Sequence, residues 1–276
     1  MEPFIRLQEG EPELYIIDSW SRAFPGLTAG FTGRGGGVSQ PPYASLNMGL
    51  HVGDRLEAVL ENRRRAALGV GIPLSSWTFG EQVHDCKVQC VTSQEAGRGI
   101  HSREDAFQGK DAFITRERGV AMAGLFADCV PLYFLDPEHR AVGIAHAGWK
   151  GTVLQVAGET VRSMAMQFGT KTEAVRAVIG PSIGSCCYEV DNAIIATVQE
   201  KTGMSGEPYW TSSPSGKYML NLQEINRQIM IKAGIMPHHI EITKLCTGCN
   251  LSRFFSHRKE GDLTGRMAAW IGWKEA

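Results

Sequence analysis

Apolar positions along the chain recur with two periods. Between residues 56 and 68 they fall three and four apart behind Asp54, which predicts an amphipathic helix with an acidic cap. The same spacing predicts helices over 152–168, ended by Gly169, from Asp191 to about 201, and over 222–233, closed by Gly234. Cys86, Val88 and Cys90 alternate with Lys87 and Gln89, the period of a half-buried strand. Segments 120–127, 130–135, 141–145, 175–179 and 240–245 are apolar without alternation and read as buried strands. Residues 33–45, 94–109 and 205–216 read as loops. Helices and strands mix without strict βαβ alternation. The expected class is therefore α+β, mixed β-sheets flanked by helices, rather than a doubly wound fold.

Apolar segments resume on both sides of each loop, and neither a repeat nor a low-complexity linker divides the chain. Residues 1–276 are expected to form a single domain, long enough to bury a substantial core. Hydrophobic residues at 43% and charged residues at 21% exclude global disorder. The net charge of −1 leaves no dominant basic block. The densest basic run, Arg63-Arg64-Arg65, lies in a predicted helix and reads as a solvated face, so no nucleic-acid partner is expected. Asp128 and Asp136 interrupt the longest apolar stretches, and no membrane span is expected. The first ten residues carry Glu2 and Glu9 and lack the apolar run of a secretory signal, which points to the cytoplasm. Seven cysteines without an export signal are expected to be free thiols or metal ligands rather than disulfides.

The chemistry concentrates in residues 127–149. Asp136-Pro137-Glu138-His139 is a turn between two apolar strands and predicts a β-hairpin. A turn centred between Pro137 and Glu138 would set Cys129 directly opposite His146. Residues so paired have Cβ atoms roughly 4.5–5.5 Å apart, so thiolate and imidazole could reach one ion. His84, after Gly80-Glu81-Gln82-Val83 at the start of the alternating strand, is the third candidate ligand. Cysteine and histidine together favour zinc. Three protein ligands with one open position is the pattern of a catalytic zinc centre, which acidifies water. Two other readings stay open. Cys129 could be a hydrolase nucleophile with His146 as its base. Both could also be ordinary core residues of an interaction module without chemistry.

Further candidates surround this segment. Arg34-Gly35-Gly36-Gly37 offers backbone N–H groups and a guanidinium to phosphate or a ribose hydroxyl, or is a surface turn. Asn47 could fix a substrate, or bond its own backbone in a turn. Asp128 would point to the opposite sheet face of a regular strand, as a general base or as a cap on backbone groups. Lys150 could bind phosphate or extend into solvent. Asp111 could orient a ligand histidine. Ser256, His257 and Arg258 form a polar patch suited to a pocket wall, with Arg258 a candidate substrate ligand. Cys246-Thr247-Gly248-Cys249 resembles half of a structural zinc site, with Cys86 and Cys90 the candidate other half; otherwise these are two pairs of free thiols. Cys186 and Cys187 are adjacent, and strain disfavours a disulfide between neighbours.

At these residues the sequence resembles the YfiH/YlmD family, the laccase-domain proteins once called multicopper polyphenol oxidases and since described as purine nucleoside phosphorylases. The resemblance spans nearly the whole chain. It rests on residues 33–47, His51-Val52-Gly53-Asp54, Glu61-Asn62-Arg63, Gln82-Val83-His84 and Lys110-Asp111-Ala112. Ala127-Asp128-Cys129 and residues 145–152 are its most specific parts, followed by residues 179–184 and Phe255-Ser256-His257-Arg258. The resemblance implies zinc on His84, Cys129 and His146, phosphorolysis of adenosine, inosine and methylthioadenosine, and deamination of adenosine. Purine nucleosides and phosphate are then the partners of a monomer or homodimer. The older label implies copper and oxidase chemistry, yet the chain offers no run of His-rich copper motifs. The signature of zinc deaminases, H-x-E followed by P-C-x-x-C, is also missing, because Asp85 and Cys86 follow His84.

Overall fold

Strands that are apolar on both sides require a fold that covers both faces of its sheets. The computed structural model describes residues 1–7, 10 and 12–275; Glu9 lies outside them. In chain order the strands are β1 (Phe4–Arg6), β2 (Leu14–Ile17), β3 (Leu27–Thr32), β4 (Trp77–Phe79), β5 (Val88–Cys90), β6 (Ala112–Thr115), β7 (Val120–Phe126), β8 (Val130–Asp136), β9 (Ala141–Ala147), β10 (Arg176–Ile179), β11 (Glu189–Val190), β12 (Trp210–Ser212), β13 (Tyr218–Leu220), β14 (Ile240–Ile242) and β15 (Met267–Trp273). The α-helices are α1 (Asp18–Ala23), α2 (Leu56–Val70), α3 (Trp149–Val153), α4 (Val156–Phe168), α5 (Asn192–Thr202), α6 (Leu222–Lys232) and α7 (His257–Glu260).

Two six-stranded mixed sheets dominate, in the orders β1-β2-β3-β15-β7-β4 and β14-β10-β8-β9-β6-β5. A three-stranded sheet, β11-β13-β12, stands apart from them. Side-chain alternation sorts the core into layers. Ala121, Ala123, Ala268 and Trp270 on the first sheet meet Ala66, Ala67 and Val70 of α2. The alternate positions, Val120, Met122, Ala269 and Ile271, meet Tyr133, Val142, Ile144 and Val178 of the second sheet. The far face of that sheet, including Leu132, Phe134 and Ala145, meets Val161 and Met164 of α4 and Ile225 and Ile229 of α6. The order helix, sheet, sheet, helix gives every long strand an apolar partner on each side. No helix among the described residues is long and apolar enough to cross a membrane.

Several boundaries differ from the sequence expectation. The helix expected over 152–168 is two, because Gln155 sits at φ +60 between α3 and α4. Asp54 does not cap α2; its carboxylate accepts from the Ser39 hydroxyl at 2.6 Å and from Asn47 Nδ2 at 2.9 Å. Asp191 caps α5 as expected, accepting from Ile194 N at 3.0 Å. Arg63 corrects the reading of a solvated basic face. Its guanidinium is fully buried over the Phe79 ring and donates to the carbonyls of Met48, Gly99 and Ile100. Arg64 and Arg65 do lie on the accessible side, paired with Glu61.

The hairpin β8–β9 forms, with a register two residues from the expected one: Pro131, not Cys129, stands opposite His146. Side chains repeat every two residues along a strand, so a shift of two preserves the face. Cys129 precedes β8 and still projects to the side of His146.

Candidate metal centre

Cys129 lies on the link, residues 127–129, that carries the chain from the first sheet into the second. Asp128 before it is held at φ +88, a left-handed conformation that an aspartate adopts only when its surroundings fix it. Three contacts do so. Its carbonyl accepts from Ile183 N at 2.9 Å, and its carboxylate accepts from the Thr247 hydroxyl and from Arg258 N, both at 2.6 Å. Both carboxylate oxygens are thereby engaged. This geometry favours the cap on backbone groups over the general base weighed from the sequence.

His84 occupies a tight turn at φ +64, before β5 rather than within it. Asp111 builds that turn. Its carboxylate accepts from three successive backbone N–H groups, Val83 at 3.0 Å and His84 and Asp85 at 2.9 Å. The same carboxylate binds His146 Nδ1 at 2.8 Å. One buried side chain therefore aims both imidazoles. Burial would raise the Asp111 pKa, but His146 and the N–H groups hold it below the usual carboxylate range.

With Nδ1 committed to Asp111, His146 keeps its other nitrogen for the site. That atom, His84 Nε2 and Cys129 Sγ lie within 4.8 Å of one another, and the thiol is 3.8 Å from His84 Nε2. The imidazoles meet edge to face, with centroids 4.7 Å apart. Gly148 leaves the room: a Cβ there would stand 2.8 Å from His84 Cδ2 and 2.9 Å from Cys129 Sγ. Burial opposes ionisation of Cys129, but the His146 charge and hydrogen bonds from both imidazoles hold the thiol down at about 6. His146, which burial would lower, is raised to about 9 by the Cys129 thiolate and Asp111. A thiolate beside two imidazoles, one oriented by a carboxylate, is a donor set that fits a borderline cation such as zinc.

Two cavities meet at these donors. One, of about 340 Å³, is bordered by His51, Arg103 and Arg266; the other, of about 330 Å³, by Trp149, Lys150, Tyr188 and Arg258. His84, Cys129 and His257 line both. The structure thus brings Lys150 and Arg258 to the site and places Arg258 over the Tyr188 ring at 5.0 Å. It does not bring Arg34 or Asn47. The Arg34 guanidinium pairs with Glu260 at 2.9 Å, donates to Ala44 O and Leu251 O, and covers the Phe255 ring. Gly35 N and Gly37 N point at Glu13 and Ser45, so the glycine run is no anion cradle. Asn47 is fully buried in a turn and bonded to Gly49, Asp54 and Arg266 N. Both corrections have one cause: these polar groups hold loops together.

Arg103 and Arg266 were not legible as site residues. The available signal was weak: Arg266 is the lone charge directly ahead of a long apolar strand. All seven cysteines are free thiols. Cys246 and Cys249 do not meet Cys86 and Cys90; they meet Cys186 and Cys187.

Residues 28–274 match the family model described as multi-copper polyphenol oxidoreductase laccase. The chain is 40% identical over 268 residues to a protein of Bacillus subtilis named purine nucleoside phosphorylase YlmD, covering 96% of each. It is 42% identical over 252 residues to its namesake in Geobacillus stearothermophilus, covering 91% of this chain and 92% of that one. The crystal structure of Bacillus licheniformis hypothetical protein YfiH superposes with a TM-score of 0.93 at 40% identity, covering 99% of this chain and 100% of that chain.

Proposed function

This chain belongs to the multi-copper polyphenol oxidoreductase laccase family, alongside the YfiH and YlmD proteins, and from that premise we propose that it is a zinc-dependent purine nucleoside phosphorylase. The observation that carries the reading is the junction of two cavities, both cationic at the rim, at His84 and Cys129, with His146 beside them. Phosphorolysis joins phosphate to the sugar carbon as the bond to the purine breaks, and leaves a sugar phosphate and a free base. Catalysis of such a displacement is largely positioning and charge stabilisation. Arg103, which also pairs with Glu81 at 3.2 Å, and Arg266, whose Nη1 is held by Thr264 O and Gly265 O, would offer their remaining guanidinium N–H groups to the phosphate. Trp149 and Tyr188 offer ring faces to the base, with Lys150 and Arg258 beside them. His257, outside the ligand set but lining both cavities, is the side chain we assign to protonating the departing purine. Zinc, held by His84, Cys129 and His146, would supply Lewis acidity at the junction.

Adenosine, inosine and methylthioadenosine are the proposed substrates, with phosphate-independent deamination of adenosine as a second activity. The test is direct. Adenosine incubated with phosphate should yield adenine; without phosphate it should yield only inosine. If neither product exceeds that of a Cys129→Ala control, both activities are refuted. Eight histidines, of which two converge with a cysteine, supply a poor donor set for several copper ions and weigh against oxidase chemistry.

The convergence of the Cys129 thiol with two imidazoles also supports a second reading, a cysteine hydrolase with Cys129 as nucleophile and His146 as its base. Iodoacetamide separates the two. A nucleophilic Cys129 would be alkylated equally with and without zinc; a ligand would be protected until the metal is chelated.

A further inference from the structure

The chain contains a second convergence of metal-binding groups that the proposed reaction does not use. Cys186 and Cys187, between β10 and β11, face Cys246 and Cys249, which follow β14. The four Sγ atoms lie within 4.8 Å of one another. Cys249 Sγ is 3.4 Å from Cys186 Sγ and 3.5 Å from Cys187 Sγ. These separations far exceed the roughly 2.05 Å of a disulfide. They approach the roughly 3.8 Å between sulfurs of a tetrahedron with metal–sulfur bonds of about 2.3 Å.

The surrounding backbone is shaped for the cluster. Gly184 N donates to Cys246 Sγ at 3.2 Å, the kind of contact that favours a thiolate. A Cβ on Gly184 would stand 3.3 Å from Cys186 Sγ, and one on Gly248 would stand 3.1 Å from Cys187 Sγ. Both positions are glycine, so the two loops close on the sulfurs. Cys186 and Cys249 are exposed while Cys246 is buried, which leaves a solvent side for an ion to enter.

We propose that Cys186, Cys187, Cys246 and Cys249 bind a structural zinc ion, distinct from the one at His84, Cys129 and His146. Four thiolates select a soft or borderline cation, and a complete set of four protein ligands leaves no position for substrate. Binding displaces the thiol protons and clasps the loop around residues 182–188 to the loop around residues 245–250. The clasp bears on the other centre. Thr247, inside the Cys246–Cys249 loop, donates to Asp128, and Ile183, in the facing loop, donates to the Asp128 carbonyl. The ion therefore steadies the backbone that presents Cys129, as a positioning element.

The test is metal stoichiometry on the full-length protein purified under reducing conditions. Elemental analysis should find two zinc ions per wild-type chain, one in Cys249→Ser and one in His84→Ala. The Cys249→Ser protein should also melt at a lower temperature. Should Cys249→Ser fold poorly, cobalt reconstitution of a His84→Ala/His146→Ala double variant gives an independent readout. It should show the visible bands and sulfur-to-cobalt charge transfer of a tetrahedral thiolate site. Equal zinc content in wild type and Cys249→Ser, or no thiolate spectrum in the double variant, overturns the proposal. Because the two variants report on different ions, failure here is distinguishable from failure of the phosphorylase reading.

Discussion

Two polar clusters, one around Asn62 and one around Asp111, use their bonding capacity in opposite ways. Under the glycine-rich loop, Asn62 accepts from Val38 N at 2.8 Å and donates to the Ser39 hydroxyl, Ser45 O and Asn47 O. Asn47 in turn closes on Gly49, Asp54 and Arg266. The side-chain amides of both asparagines are matched inside the cluster. Around Asp111 the pattern is reversed. The carboxylate is saturated, but the residues it holds, His84 through its backbone N–H and His146 through Nδ1, each turn a ring nitrogen toward Cys129 and the cavities. Residue types alone do not separate the two. What separates them is whether bonding capacity is consumed internally or left facing an opening.

The strongest way to break this contrast is to remove the open donors. Cys129→Ala should lose the metal and several kcal/mol of charge stabilisation, lowering phosphorolysis on the order of a thousandfold, measured as kcat/KM. Unchanged turnover would place the chemistry elsewhere. Asp111→Asn keeps the shape but removes the charge that orients His146. Metal affinity and activity should each fall about 10–100-fold, read by competition with a chelator. In the closed cluster, Asn62→Ala strands Val38 N and the Asn47 carbonyl, while Ser45 O keeps Ser39 N. It should cost about 1–3 kcal/mol of stability, seen as a lower Tm, while KM for phosphate holds. A change in KM without a change in Tm would contradict its structural role. Arg34→Lys should act on stability alone. The lysine can keep a charge for Glu260 but loses the forked bonds to Ala44 O and Leu251 O and the stacking on Phe255, so about 1–3 kcal/mol of stability is at stake while KM for phosphate should not move. A tenfold rise in that KM would return Arg34 to the site.

The same contrast sets how much could be read from the chain. The convergence of Cys129 and His146 was legible because a recognisable turn brings them together within one hairpin. Even a register error of two left them on one face. Asp128 and Lys150 were legible as neighbours, but not in their contacts, because Asp128 leaves the regular strand at a positive φ. Arg34 and Asn47 resembled ligands because a loop rich in glycine and small polar residues looks alike whether it cradles an anion or ties itself down. In the first sheet, β15 (Met-Ala-Ala-Trp-Ile-Gly-Trp) shows no period because both its faces are covered, one by α2 and one by the second sheet. The four-cysteine cluster was hidden for a further reason: its halves are about sixty residues apart, and no local pattern pairs them.

The short passage from β7 to β8 has a mechanical consequence. Three residues, 127–129, are all that joins the two stacked sheets at this point, and the third bears the thiol that meets the two imidazoles. So brief a tether has no slack. Any change in the spacing of the sheets pulls on Cys129 before it is felt at the histidines, both of which Asp111 anchors. The Tyr133 hydroxyl, which reaches Gly30 O at 2.7 Å across the gap, acts as a strut on that spacing. Retention of any ion held by these donors would then be a gauge of how tightly the protein's interior is closed.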